Sequence, residues 1–442
     1  MRERFRLGAF VSPYRLLAGA AVLLLLGSAM AFASGTKEKS AAAQKVTISF
    51  ANWADAEQAT RPGIEAIIAK FEQANPNITI KSEAISFVDI GHTLVLRVKS
   101  GDAPDTAEIS GNDTFNVAET GGLQDLSSYV TGTFKDSINP ADLAIGTING
   151  KLLAFPWTDS PDGLWYNKVL MKDAGLDPNQ PPTTINQLMA DLAAIHAKDP
   201  SVIPFGMDTT NRTFGLAVNW PWMLTFGAKP YSGNTANADT QGMKAYLAWM
   251  RELAQKGYII TGKKIGEFRP LAAQNKVAFI WDQNVLQGVI QSVNHQTDQQ
   301  FYATWGVAPQ PKGPAGTSNV VELGHQLVMF NTSKAKQADW EFIKYLATSE
   351  AAIVDYTFKY ESSLPPLAHA TGKVAELLNT PINQAFVNQL LPTSIIPPYG
   401  STFGEAYSPI MAGVQEAVTG NTPIDQITAS MQSNLKSAFS GS

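Results

Sequence analysis

The 442-residue sequence contains no cysteine. Disulfide bonds, thiolate catalysis and cysteine-ligated zinc are therefore excluded. The same absence excludes a lipid anchor on a cysteine side chain.

The chain also lacks an excess of positive charge. Its 33 Lys and Arg residues face 38 Asp and Glu residues, which gives a net charge of −5. Nothing in this balance attracts a polyanion. We therefore expect no nucleic-acid partner.

Signatures of catalysis and cofactor binding are missing as well. The patterns GxSxG, GxxxxGK followed by Ser or Thr, and GxGxxG after the first strand do not occur, and the five histidines form no HExxH pair. We therefore expect no metal, no cofactor and no enzymatic activity. A pair of glycosidase carboxylates has no sequence signature, so a secreted carbohydrate hydrolase that uses Asp159 stays open as an alternative.

Long apolar runs are absent except for one near the N-terminus. Arginines precede the run Leu16 to Leu26, and small residues at cleavage spacing follow it at Ala29 to Ala33. This pattern is typical of a secretory signal peptide, and the run is too short to span a bilayer comfortably. We predict a cleaved signal peptide over residues 1–33 and a flexible segment over 34–44, which leaves an exported chain.

The rest of the sequence alternates between strand and helix patterns. Val46, Ile48 and Phe50 alternate with polar residues, and a helical pattern follows from Ile64 to Phe71. Strand patterns in ITIKSEAI and DTAEIS, with a second helical pattern between them that ends at Gly101, complete the order β-α-β-α-β. This order predicts a parallel, doubly wound sheet covered by helices. The alternation of strand and helix patterns continues along the chain and gives more strands and helices than one compact sheet accommodates. We therefore predict an α/β protein with two lobes. Ligands of such folds bind in the crevice where strands end.

Several segments place a large ring beside a polar group near the end of a predicted strand. In FPWTDSPDGLWYNK, Trp157 and Asp159 are two residues apart, so both point to one side of an extended chain. A sugar suits this combination, because its C–H face stacks on a ring while its hydroxyls donate to a carboxylate. The alternative is that these rings are core residues. The candidate ligand residues are Trp53, Asp55, Trp157, Asp159, Trp220, Trp222, Trp281, Asp282, Gly324, His325 and Tyr399.

Two of these candidates flank a proline. Trp220 and Trp222 lie on either side of Pro221 in NWPWML, and we expect the proline to limit helix there. The two rings either line the pocket or pack in the second lobe.

A charged solute is a third possibility. Arg212 and Arg269 could hold a carboxylate or phosphate through two parallel hydrogen bonds each. The alternative for both is a surface arginine. The abundance of rings beside Asp and Asn favours an uncharged sugar or polyol.

An ordered series of segments resembles a known family. The segments are FEQANPNITIK, GDAPDTAEISGN, ETGGLQDLSSYV, GLWYNKVLMKDAGLDPNQPPTTINQL, NKVAFIWDQN, WGVAPQPKGP and KQADWEFIKYLATSE. In this order and spacing they resemble the extracellular solute-binding proteins of family 1, the sugar receptors of ATP-driven importers, which are related to maltose-binding protein. The resemblance runs from Val46 to about Phe439.

The resemblance implies a two-lobed periplasmic-binding-protein fold of type II. Each lobe is a sheet flanked by helices, and the chain crosses the hinge between them more than once. We place lobe 1 at residues 45–158 plus 304–358 and lobe 2 at 159–303 plus 359–442. GLWYNK matches the strand that crosses into the second lobe.

The resemblance also implies a function and site residues. It adds Asn112 and Asp113 after PDTAEIS, and it supports Trp53, Trp281, Gly324, His325 and, least, Tyr399. The expected partners are a sugar or oligosaccharide and the permease subunits of an ABC transporter, and we expect a monomer. Relatives in envelopes without an outer membrane commonly carry a cysteine for lipidation. Its absence here implies a periplasmic protein.

Overall fold

The first strand of the chain has one buried face, as its alternating sequence pattern predicts. The computed structural model describes residues 45–440, so the predicted signal peptide and the flexible segment lie outside the described residues. Ile48 and Phe50 of the first strand are buried, while Thr47 is exposed. The period of two therefore places one face of this strand against a core, as the alternation predicts.

The strands and helices alternate along the chain. The strands are β1 Val46–Asn52, β2 Ile78–Ala84, β3 Thr106–Ile109, β4 Thr147–Ile148, β5 Lys151–Leu152, β6 Phe155–Pro156, β7 Gly163–Asn167, β8 Ile203–Gly206, β9 Tyr231–Ser232, β10 Thr235–Ala236, β11 Val277–Asp282, β12 Trp305–Ala308, β13 Val320–Val321, β14 Gln326–Met329 and β15 Ser394–Ile395. The α-helices are α1 Arg61–Ala74, α2 Ile90–Ser100, α3 Gly111–Ala118, α4 Gly132–Asp136, α5 Pro140–Ile145, α6 Lys168–Asp173, α7 Ile185–Lys198, α8 Thr213–Thr225, α9 Gln241–Gln255, α10 Arg269–Ala273, α11 Val285–Asn294, α12 Asp298–Thr304, α13 Lys336–Thr348, α14 Glu350–Ala352, α15 Gly372–Leu378, α16 Pro381–Ala385, α17 Ser401–Thr419 and α18 Ile424–Ser440. Short π-helices at Ile353–Phe358 and Phe386–Leu390 and 3₁₀ turns at Ile265–Glu267 and Leu391–Thr393 complete the list.

The first lobe is built on a sheet with the strand order β2-β1-β3-β14-β6. Strand β3 runs parallel to β1, whereas β14 runs antiparallel to both β3 and β6. The apolar face of α1, formed by Ile64, Ile67 and Phe71, is buried. The ring of Phe342 on α13 lies 5.2 Å from that of Phe50 on β1, so helices from distant parts of the sequence cover one sheet.

The second lobe is built on a sheet with the strand order β12-β7-β11-β8. Strands β8 and β11 are parallel, and β7 is antiparallel to both β11 and β12. Its core is rich in indole rings. The ring of Trp222 on α8 stacks at 5.2 Å on Trp249 of α9 and meets Trp281 of β11 edge-on at 5.0 Å.

Both sheets are mixed rather than purely parallel, and the antiparallel strands are those next to the crossings. The chain leaves the first sheet after β6 and enters the second at β7, and it leaves the second after β12 and returns at β14. Strands that enter a sheet from the hinge run against the strands of its βαβ units. The Phe155 to Lys168 segment is therefore the first crossing between the lobes.

One part of the predicted lobe boundaries disagrees with the strand pairing. We assigned residues 304–358 to lobe 1, but β12 pairs with β7 along its whole length and belongs to the second sheet. The return to lobe 1 comes after Ala308, because the sequence WGVA completes an edge of the second sheet. The other lobe boundaries stay a prediction. Among residues 45–440, no helix combines the length and the apolarity needed to cross a bilayer.

The expectation that Pro221 limits helix formation is wrong. Helix α8 continues through Pro221 to Thr225. A proline inside a helix costs roughly 3 kcal/mol. Most of α8 is buried, Trp220 and Trp222 included, so apolar burial offsets that cost.

We predict that Trp222→Ala lowers the free energy of unfolding by about 3–5 kcal/mol, because it leaves a cavity among the stacked indole rings. The measurement is urea unfolding followed by circular dichroism, with Trp222→Phe as a milder variant if the alanine variant does not fold. Val293→Ala on α11 is the control, since Val293 is 55% exposed and should change stability by less than about 0.5 kcal/mol. Equal effects of Trp222→Ala and Val293→Ala would contradict this packing.

Candidate functional site

A cavity of about 260 Å³ lies where loops after the strands of both sheets meet. Its residues come from four places: the ends of β2 and β3, the start of α8, the end of β11, and the segments around β14 and before α17. They are Phe87, Val88, Ser110, Gly111, Asn112, Asp113, Arg212, Thr213, Phe214, Ala217, Gln283, Leu323, His325 and Tyr399. The cavity is therefore the crevice between the lobes.

Aromatic rings from both lobes form the apolar walls of the cavity. Phe87 follows β2 of the first sheet and Phe214 begins α8 of the second lobe, and their ring centroids lie 6.3 Å apart in an edge-to-face arrangement. Tyr399 packs against Gly111, where a Cβ atom would lie 3.1 Å from the tyrosine ring. A side chain at this position would require the tyrosine ring to shift by a few tenths of an ångström.

His325 is held at the cavity by its backbone and by its ring. The backbone N–H groups of Trp157 and Thr158 donate to its carbonyl, and its own N–H donates to Oγ1 of Thr158. Nδ1 of the ring lies 2.9 Å from Oε1 of the fully buried Glu108. The other carboxylate oxygen of Glu108 accepts from the backbone N–H of Trp53. Only Nε2 of His325 is left to meet a ligand.

The carboxylates around His325 keep its ring charged at neutral pH. Burial by itself lowers the pKa of His325, but the hydrogen bond to Glu108 and the charges of Glu361, Glu108 and Glu57 outweigh it and raise the pKa to about 9. Burial raises the pKa of Glu108 to about 7, against the opposing hydrogen bond from His325. The two form an ion pair between these values.

The arginines near the cavity are already paired with carboxylates of the protein. Arg269 donates through Nε and Nη2 to both oxygens of Asp282, at 2.9 Å each. Arg212 donates to the buried Asp208, and its guanidinium lies 4.8 Å from the ring centroid of Phe214. The Nε and Nη2 donors of both guanidinium groups are therefore already taken by groups of the protein, which for Arg212 are Asp208 and Oγ1 of Thr210.

The buried carboxyl group of Glu322 fastens the two crossing segments to each other. Oε1 of Glu322 accepts from the backbone N–H groups of Ser160 and Gly324, at 2.8 and 2.7 Å. A Cβ atom on Gly324 would lie 1.8 Å from the carbonyl oxygen of Thr158, so only glycine permits this approach. Burial raises the pKa of Glu322 to about 8, and burial together with neighbouring carboxylates raises the pKa of Asp159 well above its ordinary value.

The structure brings four of the predicted site residues to the cavity. Asn112 and Asp113 follow β3, His325 precedes β14, and Tyr399 precedes α17. Gly324, the residue before His325, packs against the carbonyl oxygen of Thr158 and does not line the cavity.

The tryptophans expected to line the cleft lie behind it or in the lobe cores. Trp157 is fully buried and stacks on Tyr356 at 5.3 Å. Trp53 is 3% exposed and meets the ring of His325 edge-on at 4.8 Å, so it supports that ring from behind. Burial of a large apolar area and ring-to-ring contacts stabilise the two indole rings in these positions. The remaining three, Trp220, Trp222 and Trp281, are buried in the second lobe.

The predicted aspartates other than Asp113 also lie outside the cavity lining. Asp55 accepts a hydrogen bond from Ser82, and Asp282 is bound to Arg269. Asp159 is 3% exposed at the hinge, and its backbone pairs with Leu364. Asp159 therefore does not reach the cavity, whose lining includes the acidic side chain of Asp113 instead.

Phe87 and Phe214 are cavity residues that the sequence analysis did not single out. Each follows a strand, β2 for Phe87 and β8 for Phe214. The rule that ligands meet the residues after strand ends selected Trp53, whereas Asn112 came from the resemblance to the family. Applied to ISFVD and TTNRTFG, it points to these two phenylalanines as well.

The described residues contain no group of three or more His, Asp or Glu side chains placed to hold a metal ion. The side chains at the cavity are instead aromatic rings, amides, hydroxyls and internally paired charges. Such a set can hold a polar, uncharged solute by stacking and hydrogen bonds.

The sequence model of the family of bacterial extracellular solute-binding proteins matches residues 54–353 of this chain. The chain therefore belongs to this family. Among curated relatives, a binding protein of Brucella abortus is 24% identical over 292 residues, covering 65% of this chain and 69% of the relative. The multiple sugar-binding protein of Streptococcus mutans is 27% identical over 232 residues, covering 50% and 48%. The fold is that of an ABC transporter solute-binding protein from Thermotoga lettingae bound with α-D-tagatose, with a TM-score of 0.76, 19% identity, and coverage of 90% of this chain and all of the other.

We predict that stability falls as pH rises from about 5 to about 9. The folded chain keeps protons on Glu322 and His325, with pKa values of about 8 and 9, which the unfolded chain releases near pH 4.5 and 6.5. The folded state thus binds more protons in this window, so raising the pH favours unfolding, at about 1.4 kcal/mol per pH unit for each proton that only the folded state retains.

Urea unfolding at pH 5, 7 and 9 measures this dependence. Glu322→Gln keeps an oxygen that accepts the same backbone hydrogen bonds, and it should flatten the loss between pH 5 and 9. Glu65→Gln on the exposed face of α1 is the matched control and should keep the wild-type slope. Stability that rises with pH in the wild-type protein would contradict the sign.

Proposed function

We propose that the protein is the substrate-binding receptor of an ATP-driven importer. It takes up a sugar or oligosaccharide between its two lobes and delivers it to a membrane permease. Its family is one of extracellular solute-binding proteins, one relative is named a multiple sugar-binding protein, and a protein of the same fold holds α-D-tagatose. The observation that carries the proposal is the cavity lined by rings and hydrogen-bonding groups of both lobes.

The chemistry of the cavity walls supports a sugar. Phe87, Phe214 and Tyr399 offer apolar faces for the C–H side of a pyranose or furanose ring. Asn112 and Gln283 offer amide donors and acceptors for hydroxyl groups. The site therefore combines apolar ring faces with hydrogen-bonding side chains. This combination suits a sugar ring, which is apolar on its faces and carries hydroxyl groups around its rim.

Pairing of the charges argues against an anionic solute. Arg269 is held in two hydrogen bonds by Asp282, Arg212 is held by Asp208, and His325 is held by Glu108. An anion would have to compete with these buried carboxylates. We therefore favour an uncharged sugar over a polyol phosphate or a carboxylate.

Binding without chemical turnover is the second part of the proposal. A hydrolase of the glycosidase class needs two carboxyl groups at the substrate. Asp159 is buried at the hinge instead, and Asp113 is the cavity's single acidic residue among the described residues. Incubation with the bound sugar should return it unchanged, and the appearance of hydrolysis products would contradict this part.

Because residues of both lobes line the cavity, we expect the lobes to close on a bound ligand. Phe87 and Phe214 belong to different lobes, so a ligand contacts both only when the lobes are close. A ligand shifts the population toward the closed state because that state alone makes both sets of contacts. The closed form would then be the one that docks on the permease. Export to the periplasm, absence of a lipid anchor and a monomeric state remain predictions.

The proposal is tested by thermal unfolding in the presence of mono-, di- and oligosaccharides of several linkages. A ligand at 100 times its Kd stabilises the folded state by about 2.7 kcal/mol. We expect at least one sugar to raise the unfolding temperature, whereas glycerol 3-phosphate should not. A rise with glycerol 3-phosphate alone would contradict the assignment of an uncharged ligand.

We predict that Phe214→Ala weakens binding of the sugar found in this screen by about 1 kcal/mol, or roughly fivefold, because one stacking face is lost. Isothermal titration calorimetry measures the change. Phe226→Ala is the matched control. Phe226 lies just after the other end of α8 and packs on Trp249 in the lobe core, so its removal should leave affinity unchanged. Equal affinities for the wild type and Phe214→Ala would remove Phe214 from the site.

A further inference from the structure

A groove of about 1070 Å³ lies beside the second sheet, and within the described chain it shares no lining residue with the cavity between the lobes. Tyr166 of β7 and Val307 of β12 line it, together with the loops 179–183 and 309–318. Thr183, Gln187 and Asp191 follow one another at a spacing of four residues, so the groove runs along one face of α7. We call it the α7 groove.

Hydrogen bonds within the protein hold the two loops beside the α7 groove. The backbone N–H of Lys312 donates to the carbonyl of Thr183, and that of Ile185 donates to the carbonyl of Lys312, each at 2.9 Å. Oγ1 of Thr225 in turn accepts from the backbone N–H of Gly313. The loops are therefore in place before a ligand arrives, so binding costs little ordering of the chain.

Gln310 presents an unpaired hydrogen-bond donor at the α7 groove. Its side chain is only 2% exposed, and Oε1 accepts from the backbone N–H of Asn319 at 3.2 Å. This bond orients the amide group, and Nε2 finds no acceptor within residues 45–440. A buried donor without an acceptor carries an uncompensated desolvation cost. A carbonyl or carboxylate oxygen of a ligand would remove that cost.

Two charged side chains of opposite sign are also left unpaired in the α7 groove. The half-buried carboxyl group of Asp191 has no hydrogen bond or ion pair in the described part of the chain, and burial alone raises its pKa to about 6. The ammonium group of Lys312, on the exposed side of the groove, has no partner among the same residues. A ligand that carries one positive and one negative group complements this pair.

The spacing of the two charged residues indicates the length of that ligand. Thr184, which directly precedes α7, pairs with Lys312. Asp191 lies two helical turns further along α7, so about 10 Å separate the two backbone positions at a rise of about 1.5 Å per residue. An extended peptide spans about 3.3–3.6 Å per residue. A chain of about three or four residues therefore bridges the distance.

We propose that the α7 groove binds a short peptide with free termini, about three or four residues long. The ammonium group of the peptide contacts Asp191, its carboxylate contacts Lys312, and a carbonyl oxygen between them accepts from Nε2 of Gln310. The hydroxyl of Tyr166 offers a further donor. The site is separate from the sugar cavity, so the proposal does not depend on the sugar.

Smaller or uncharged ligands would leave part of the α7 groove unused. A single amino acid carries both charges, but its reach of about 3.3–3.6 Å is too short to contact Asp191 and Lys312 together. An uncharged sugar would leave both charged groups without a partner. The groove volume of about 1070 Å³ also suits a chain of several residues.

The test is isothermal titration calorimetry of the full chain with tetraalanine, which has free termini. The comparison probes are free alanine, N-acetylated tetraalanine, and tetraalanine that is both acetylated and amidated. We expect tetraalanine to bind at least about tenfold more tightly than the doubly capped peptide, because capping removes two charge-assisted contacts. Free alanine should bind more weakly than tetraalanine.

A substitution at Asp191 identifies which end of the peptide it contacts. Asp191→Asn keeps the shape of the side chain and should weaken tetraalanine about fivefold or more, while leaving N-acetylated tetraalanine within about twofold. Asp173→Asn is the matched control, because Asp173 lies exposed at the end of α6 outside the groove. Thermal unfolding without ligand checks that both variants are folded.

The outcomes either support or overturn the peptide site. No binding of tetraalanine, or equal affinities for tetraalanine and the doubly capped peptide or free alanine, would overturn it. An equal effect of Asp191→Asn on the free and the N-acetylated peptide would overturn the contact assigned to Asp191. A loss confined to the peptide with a free amino terminus supports the proposal. The sugar screen is unaffected by each of these results, so the receptor assignment is tested separately.

Discussion

The two lobes depend on one close approach of backbones at the hinge. The carbonyl of Thr158 in the first crossing meets Gly324 in the second with no room for a Cβ atom. Glu322 then draws the backbone N–H groups of Ser160 and Gly324 to one carboxyl oxygen. Because these contacts hold the two segments side by side, Leu323 and His325 lie at the floor of the cavity. The loops of both sheets meet above them.

The same constraint explains how charge is handled in the cleft. A hinge this tightly packed excludes water, so every buried charge needs a partner within the protein. His325 has Glu108, Arg269 has Asp282, and Arg212 has Asp208. What remains to meet a ligand is a set of ring faces, amides, the carboxyl group of Asp113 and the imidazole ring of His325. The packing behind the cavity therefore supplies partners for the three cationic side chains.

Much of the fold could be predicted from the sequence, and the site only in part. Local periodicity predicts the strands and helices, and the polar residues after β3 were predicted from the resemblance of PDTAEIS and its neighbours to the family. The tryptophans could not be placed, since an indole ring suits a core and a sugar site equally. Only the tertiary contacts of Trp157 with Tyr356 and of Trp222 with Trp249 distinguish the two. Pro221 was misjudged because burial of α8 outweighs local preference.

The central claim is that a sugar draws the two lobes together around it. Because the chain has no cysteine, Leu96→Cys on α2 and Val293→Cys on α11 can be labelled with a donor and an acceptor dye; both positions are exposed, at 52% and 55%, on different lobes. The account predicts that energy transfer changes with sugar concentration and saturates in the range of the calorimetric Kd. Calorimetric binding of the sugar with unchanged energy transfer would contradict it.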